Sequence, residues 1–346
     1  MISNYRSTLN ILLTYLSIVQ VASDSIKRFR SSQFDSSQNS RRTSEIDHPD
    51  LFFEGDEWRD QLVFSYSFSD PPTHKKNNCN LTDAERDAQI REILGKVSTV
   101  VRNSPQEEAL DWIISEDIRF LCPNDPSIVQ RYAVATFYFS TDGRNWKDQG
   151  TALSSESECS WKGALDDNEK PSWSFICENN YTFSVLSIDS NNLRGTLPKE
   201  LGLFSGLEQI NIDDNIIGGP LPVEIGQLKR LKRIDVDNNS FTGTLPIEIF
   251  TLPEIIVLDM NSNNFSGTIS GDIKNLGNLE FMDISDNSFD GSLPEEFGFL
   301  SNLGVFLSHD NQLTGTMPTK LCSIVPQEAL IATCSIDFTC GCCTCV

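Results

Sequence analysis

Ten cysteines, crowded toward the end of the chain, are the residues whose spacing most clearly permits chemistry. Six of them lie in residues 322–346, and residues 340–345 read Cys-x-Cys-Cys-x-Cys. Thiolates at this density can bind a soft metal ion, and in an oxidising compartment they form disulfides instead. We expect disulfides and no metal site, because the chain begins with the features of a secretory leader. The sequence does not select among the pairings open to these six cysteines.

Aspartates that recur every 24 residues are the second group with chemical potential. Asp235, Asp259 and Asp283 share one position of this period, and Asp237 lies two residues after the first of them. On neighbouring strands such like charges would face one another and destabilise the fold, each by roughly a few tenths of a kcal/mol. Their retention favours a cationic partner, which is a basic protein or peptide, or Ca²⁺. The alternative is a hydrated acidic surface. The sequence shows no compact set of oxygen ligands of the kind that binds Ca²⁺.

Catalytic constellations are not visible in the sequence. The three histidines, His48, His74 and His309, have no accompanying nucleophile or metal-binding pattern. Paired carboxylates can hydrolyse glycosides, but that chemistry needs a cleft that shields them. We therefore expect no catalytic residue, no cofactor and no enzymatic activity.

The chain is strongly acidic, with a formal net charge of −22 at pH 7. This charge argues against a nucleic-acid partner, because binding to phosphates requires Lys and Arg. One basic junction, residues 229–233, interrupts the acidic background and includes Lys232 and Arg233. One interpretation is a binding site for an anionic glycan or an acidic protein segment. The other is a solvated turn whose positive charges neutralise nearby acidic residues. The second interpretation is slightly favoured.

Residues 1–23 have the features of a signal peptide. Arg6 precedes a mostly apolar run, Leu9 to Val21, and small residues follow at a potential cleavage site. The alternatives are an uncleaved membrane anchor and an organelle transit peptide, and membrane contact is expected only with an anchor. A secreted or cell-surface protein would carry disulfides and N-glycans. The sequons are at Asn80, Asn180, Asn238 and Asn264.

Two regions separate this leader from the repeats. Residues 24–78 are rich in Ser, Arg, Asp and Gln, and we expect a disordered linker. Residues 79–182 are expected to form a helical N-terminal cap region. A capping box at residues 82–85, a Ser-Pro start at residues 104–105 and Asp125-Pro126 predict the beginnings of three helices.

Six copies of a 24-residue repeat occupy residues 183–321. Apolar residues recur at repeat positions 1, 4 and 6, Asn at position 9, Gly at 13 and Pro at 16, as in Leu231, Ile234, Val236, Asn239, Gly243 and Pro246. Positions 1 to 8 predict a short strand, and stacked repeats would pair these strands into a parallel sheet. The buried Asn is expected to bond backbone groups of adjacent turns. Ser270 replaces Pro in the fourth repeat, which predicts a looser return leg there.

This pattern resembles the plant-type leucine-rich repeat, Leu-x-x-Leu-x-Leu-x-x-Asn-x-Leu-x-Gly-x-Ile-Pro. Residues 130–146 and Cys159-Ser-Trp-Lys-Gly163 are similar to the N-terminal cap of that family, which implies a Cys159–Cys177 disulfide. With its cysteine-rich tail, the whole arrangement is most similar to secreted or membrane-anchored repeat families of diatoms and related algae. The resemblance implies a curved α/β solenoid with a parallel concave sheet that binds proteins, peptides or glycans. Residues 322–346 would form a Cys-rich C-terminal cap.

The ligand site is predicted on the concave face of repeats three to six. Apolar residues occupy outward positions there, and an exposed apolar cluster marks an interaction site. Lys232 and Arg233, with Asp235 and Asp237, extend the candidate site toward the third repeat. The remaining candidates are Ile256, Val257, Asp259, Phe281, Asp283, Val305 and Leu307.

These features favour a non-catalytic recognition module that is secreted or displayed at the cell surface. Its partner would be a protein, peptide or glycan. The alternatives are an adhesive or cell-wall structural protein and a membrane-anchored, receptor-like ectodomain.

Overall fold

The computed structural model describes residues 79–166, 170–178 and 182–346. The predicted leader, the predicted linker at 24–78 and the sequon at Asn180 lie outside the described residues. Among the described helices, none has the length and apolar character that crossing a bilayer requires.

Among the described residues, three α-helices precede the repeats, as the sequence predicts. Helix α1, Asp83–Val97, begins with the expected capping box, in which the Glu85 carboxylate accepts from the Thr82 N–H at 2.8 Å. Helix α2, Pro105–Asp111, begins at Ser104 and continues into a π-helical turn, Trp112–Glu116. Helix α3, Ile128–Ser140, is almost wholly buried and packs against α2.

A buried ion pair holds this N-terminal cap together. The Arg131 guanidinium on α3 donates to both carboxylate oxygens of Asp117, at 2.7 and 2.8 Å, and to Glu158 at 3.4 Å. It also lies 5.0 Å from the ring centroid of Trp112 and 4.9 Å from that of Trp161. All of these groups are buried. A buried charge requires such a set of partners, because it has given up its hydration.

The main sheet has nine strands. Each of the six repeats contributes one strand, and the other three come from the two caps. The strand order is β1-β2-β4-β6-β8-β10-β12-β15-β17, and every pair is parallel except the first. Strand β1 belongs to the N-terminal cap region and extends this sheet through an antiparallel pairing with β2. The strands are β1 Ser174–Glu178, β2 Thr182–Ser187, β4 Gln209–Asn211, β6 Arg233–Asp235, β8 Val257–Asp259, β10 Phe281–Asp283, β12 Val305–Leu307, β15 Leu330–Ala332 and β17 Thr344–Cys345.

A second, six-stranded sheet lies on the return leg of the repeats, and a small two-stranded sheet extends it. The sequence did not predict it. The six strands are β3 Arg194–Thr196, β5 Ile216–Gly219, β7 Ser240–Gly243, β9 Asn264–Gly267, β11 Ser288–Gly291 and β13 Gln312–Leu313; the two are β14 Gly315–Thr316 and β16 Phe338–Thr339.

Short 3₁₀ helices complete the first five repeats. The fourth repeat forms the same five-residue helix as the other four, and the Ser270 hydroxyl caps it by accepting from the Asp272 N–H at 3.1 Å. The expectation of a looser return leg is therefore wrong, because Ser270 replaces the rigidity of proline with a cap. The 3₁₀ helices are Gly143–Asn145, Glu158–Ser160, Lys199–Leu203, Val223–Gln227, Ile247–Thr251, Gly271–Asn275, Glu295–Phe299 and Gln327–Ala329.

The asparagine at position 9 links neighbouring repeats, as predicted. Asn263 donates through Nδ2 to the Val236 carbonyl of the preceding repeat at 2.9 Å and to two carbonyls of its own repeat. Its Oδ1 accepts from the Phe241 N–H at 2.9 Å. Each amide thus satisfies backbone groups that lie inside the turn and away from other partners.

The C-terminal cap continues the solenoid instead of only covering it. Helix α4, Leu321–Ile324, is followed by β15, β16 and β17, which extend the main and the small sheet. Three disulfides cross-link this cap: Cys322–Cys342, Cys334–Cys345 and Cys340–Cys343. Two more lie in the N-terminal cap, Cys79–Cys122 and Cys159–Cys177, and the second has the pairing that the family resemblance implies.

Candidate functional site

The candidate site lies on the outer face of the main sheet, which we define as the face opposite the hydrophobic core. Side chains of a strand alternate between the two faces, so Leu258 and Met282 enter the core while their neighbours point outward. Because the strands pair in register, equal repeat positions form columns across them. Adjacent members of a column are separated by the spacing of hydrogen-bonded strands, about 4.8 Å.

The central column of the outer face is the predicted row of aspartates. Asp259 pairs in register with Asp235 on one side and with Asp283 on the other. Their exposed fractions are only 1 %, 2 % and 4 % for Asp235, Asp259 and Asp283. The sequence predicted the column but not its burial, and burial makes the repulsion between the carboxylates more costly.

Each aspartate of the column has a different neighbour. Arg233 donates to Asp235 at 2.7 Å, and the Asn261 amide donates to Asp259 at 2.6 Å. The backbone N–H and the hydroxyl of Ser285 donate to Asp283 at 2.9 and 2.6 Å. Arg233 thus brings a positive charge to Asp235, and neutral groups donate hydrogen bonds to Asp259 and Asp283.

Burial and mutual repulsion raise the pKa of Asp259 and of Asp283. Desolvation, followed by the charges of Asp235 and Asp283, raises the pKa of Asp259 well above its usual value. Desolvation raises the pKa of Asp283 to about 6, and the Ser285 hydrogen bonds oppose this rise. Asp259 and Asp283 thus accept protons more readily than exposed aspartates do.

The variant Asp283→Asn is expected to remove part of the pH dependence of stability. The folded-state pKa is raised, so the contribution of this carboxyl group to stability is fully present below about pH 4 and is lost as pH rises through about 6. The variant cannot ionise, and at pH 7 it should be more stable by on the order of 2–3 kcal/mol. Urea unfolding of both chains from pH 4 to 8 measures this difference. A difference that is constant with pH, or that grows toward acid, would contradict the assigned burial.

Carboxylate oxygens of Asp235, Asp237 and Asp259 lie within 4.8 Å of one another. Three such oxygens supply about half of the ligands that Ca²⁺ normally takes. The arrangement suits a single positive charge, such as an ammonium or guanidinium group, which needs fewer oxygen partners than the metal ion.

The apolar candidates differ from the expectation of an exposed cluster. Val257, Phe281 and Leu307 are each 4 % exposed, so the expectation is wrong for these three. In-register pairing places Phe281 between Val257 and Val305, and this close spacing contributes to its burial. Ile256 and Val305 are partly exposed. None of the five belongs to the continuous core, which keeps them on the outer face.

The sequence missed one member of the apolar end of this face. Ile331, on β15 of the C-terminal cap, pairs with Leu307 and is 3 % exposed. The column therefore changes from aspartate to apolar side chains between Asp283 and Leu307. The missed signal is a Leu-Ile-Ala strand inside a segment that its cysteines alone had identified as a cap.

The side chains of the basic junction, residues 229–233, form ion pairs with acidic side chains of the same chain. Arg230 binds the carboxylates of Glu178, at 2.8 Å, and Glu208, and Lys232 binds Glu208 at 2.9 Å. Arg233 pairs with Asp235, as described above. The favoured interpretation, a turn that offsets nearby acids, agrees with these contacts. Lys232 and Arg233 therefore contribute less free positive charge to a ligand than their sequence suggests.

The described sequons at Asn80, Asn238 and Asn264 are all exposed. The Asn238 amide donates to the Asp214 carboxylate, whereas Asn264 lies on β9 of the second sheet, away from the outer face. Glycosylation of these residues stays a prediction.

Comparison with known sequences identifies the repeats. The Leucine Rich Repeat family profile matches residues 230–252, 254–276 and 278–300. These units are leucine-rich repeats. None of the curated proteins matches the sequence significantly.

Solved structures with a similar fold come from plants. A plant ice-binding protein is 23% identical over 62% of this chain and 64% of its own, with a TM-score of 0.50. The ectodomain of the receptor kinase SOBIR1 from Arabidopsis thaliana is 32% identical over 38% of this chain and 73% of its own, with a TM-score of 0.37. The plant peptide hormone receptor RGFR1, solved in complex with RGF2, is 27% identical over 45% of this chain, with a TM-score of 0.42.

The leucine-rich-repeat chain spans only a part of the receptors that it matches. It covers 25% of the RGFR1 chain and 32% of a TDR receptor. What these comparisons establish is the repeat and its solenoid fold.

Proposed function

We propose that this leucine-rich-repeat protein is an extracellular recognition module that binds a protein, peptide or glycan on the concave, outer face of its main sheet without catalysing a reaction. The observation that carries the proposal is the in-register column Asp235, Asp259 and Asp283. A column of buried like charges lowers the stability of the fold. Function commonly maintains such a cost.

A partner with positive charge would recover this cost on binding. An ammonium or guanidinium group beside the carboxylates forms charge-assisted hydrogen bonds and relieves the repulsion between them. The partly exposed apolar side chains beside the column, Ile256 and Val305, would contact an apolar part of the same partner. A basic protein or peptide fits this combination better than a glycan does.

An extracellular location is supported by the disulfides. Two disulfides lie within the N-terminal cap and three within the C-terminal cap. Such bonds persist chiefly in oxidising compartments. The leader, the N-glycans and the affinity to diatom and algal families stay predictions. An adhesive or cell-wall structural role is the alternative, and extraction only by wall-degrading treatment would favour it.

Substitutions on the outer face test the proposal. The full-length chain is immobilised, its partner is captured from the extracellular fluid of the source cells, and the affinity of the purified pair is measured. Asp235→Asn/Asp237→Asn and Val257→Asp/Phe281→Asp are each expected to weaken binding by about 30-fold or more, as expected for interface hot spots.

The matched control is Ile247→Asp, because Ile247 is 56% exposed and lies on a 3₁₀ helix of the return leg. It should leave the affinity unchanged. Circular dichroism must show that all variants are folded. If Val257→Asp/Phe281→Asp unfolds, Asp235→Asn/Asp237→Asn alone tests the site. Unchanged affinity in a folded outer-face variant would refute the site.

A further inference from the structure

The C-terminal cap brings the sulfur atoms of two disulfides into one cluster. Sγ atoms of Cys334, Cys343 and Cys345 all lie within 4.8 Å of one another. Cys334 is bonded to Cys345, and Cys343 is bonded to Cys340, so the fourth sulfur is a bond length from the third. Three sulfurs from two disulfides are thus as close together as metal ligands can be, and the fourth is bonded to one of them.

The geometry of zinc sites fits this cluster. A tetrahedral zinc ion with Zn–S bonds of about 2.3 Å separates its sulfurs by about 3.8 Å. Reduction would allow the two sulfurs of each disulfide to separate to about that distance. Cys340 and Cys343 also have the Cys-x-x-Cys spacing that is typical of structural zinc sites.

The backbone that carries these sulfurs is held in place by bonds other than the disulfides. Strand β17 pairs with β15, and the Val346 N–H donates to the Ala332 carbonyl at 3.1 Å. The turn before β16 is closed by the Ser335 N–H, which donates to the Phe338 carbonyl at 2.9 Å. These bonds would keep the four cysteines close together after reduction.

We propose that the reduced C-terminal cap binds one soft d¹⁰ metal ion, of which Zn²⁺ is the representative, through Cys334, Cys340, Cys343 and Cys345. Each disulfide takes up two electrons and two protons from one dithiol, which is oxidised to its own disulfide. The four resulting thiols lose their protons as the metal ion binds, and a tetrathiolate forms. The Cys322–Cys342 disulfide takes no part.

This site would allow the cap to be cross-linked in two chemical states, one oxidised and one reduced. The end of a solenoid exposes core residues unless a cap covers it, and Phe338 and Cys343 are both buried in this cap. Under oxidising conditions disulfides cross-link it, and under reducing conditions the metal ion would link the same four residues. The proposal is independent of what the outer face binds.

Metal titration of the reduced full-length chain tests the proposal. The chain is reduced with a dithiol, separated from it without oxygen, and titrated with Zn²⁺ against a chromophoric chelator and, separately, with Co²⁺. We expect one equivalent of Zn²⁺, the absorption spectrum of tetrahedral cobalt thiolate, and a higher urea midpoint for the reduced chain with Zn²⁺ than without it. A reduced chain that regains its circular dichroism only with Zn²⁺ would also support the site.

Paired cysteine variants decide which sulfurs are ligands. Cys340→Ser/Cys343→Ser should abolish the cobalt thiolate spectrum and lower Zn²⁺ affinity by at least about 100-fold. Cys159→Ser/Cys177→Ser removes the same number of thiols from the other cap and should change neither quantity. The proposal fails if the reduced chain binds no Zn²⁺, if Cys340→Ser/Cys343→Ser binds it normally, or if Cys322→Ser/Cys342→Ser loses the spectrum.

Discussion

Arg131→Met is expected to lower the free energy of unfolding by about 3–5 kcal/mol, the cost of breaking a buried ion pair by removing one partner. Methionine fills much of the same volume but carries no charge. The substitution leaves the carboxylates of Asp117 and Glu158, each 1 % exposed, without this cation. It also removes the hydrogen bonds from Arg131 to the Ser154 and Glu156 carbonyls, at 2.7 and 2.9 Å.

Urea unfolding measures this effect, and Arg119→Met is its matched control. Arg119 contacts the same Glu158 at 3.2 Å, but its side chain is 27 % exposed and Arg131 remains beside the carboxylate. Its loss should cost less than about 1 kcal/mol. Equal effects of the two substitutions would show that the Asp117 pair is not what stabilises the cap.

A double-mutant cycle separates the pair from the rest of the cap. Asp117→Asn in the Arg131→Met background should cost less than the two single substitutions added together, because neither charge is then left facing an apolar site. Strict additivity would contradict direct coupling between the two groups.

The sequence predicts the solenoid well because its repeat is set by local and periodic forces. Position 4 alternates with positions 3 and 5, and so Leu258 is predictably in the core while Val257 and Asp259 point outward. The Asn263 ladder is predictable for the same reason, since an amide buried at every turn meets the same backbone groups. Burial of Phe281 and Asp283 is not predictable from periodicity, because it depends on the side chains of neighbouring strands and not on the strand itself.

The cap regions show where such reasoning ends. Helices α1 and α2 are predictable from their caps, yet the Arg131–Asp117 pair joins residues that no repeat relates. Strand β15 of the C-terminal cap is not predictable from the sequence. The 24-residue period has ended there, and a three-residue strand is too short to show a periodic pattern. Long-range pairing in these regions is set by three-dimensional packing that a single sequence does not display.

Asn263→Ala is expected to destabilise the fold by about 3–5 kcal/mol, although it removes only a small side chain. The Asn263 amide is the partner of the Phe241 N–H and of the Val236 carbonyl. Alanine leaves these buried backbone groups without that amide, at a cost of about 1–3 kcal/mol for each unsatisfied group. The neighbouring Asn264 provides the control, because it is exposed, and Asn264→Ala should change stability by less than about 0.5 kcal/mol.

The Asn263 substitution should also alter how the protein unfolds. In a solenoid each repeat contacts only its neighbours, so a weak interface between the third and fourth repeats divides the cooperative unit there. Amide exchange at Phe241 is then expected to accelerate more than exchange at Phe289, whose N–H is held by Asn311. Uniform acceleration along the chain would instead mean that the asparagine ladder acts on the solenoid as a whole. Both variants are best produced in a host that does not glycosylate, so that the Asn264 sequon does not enter the comparison.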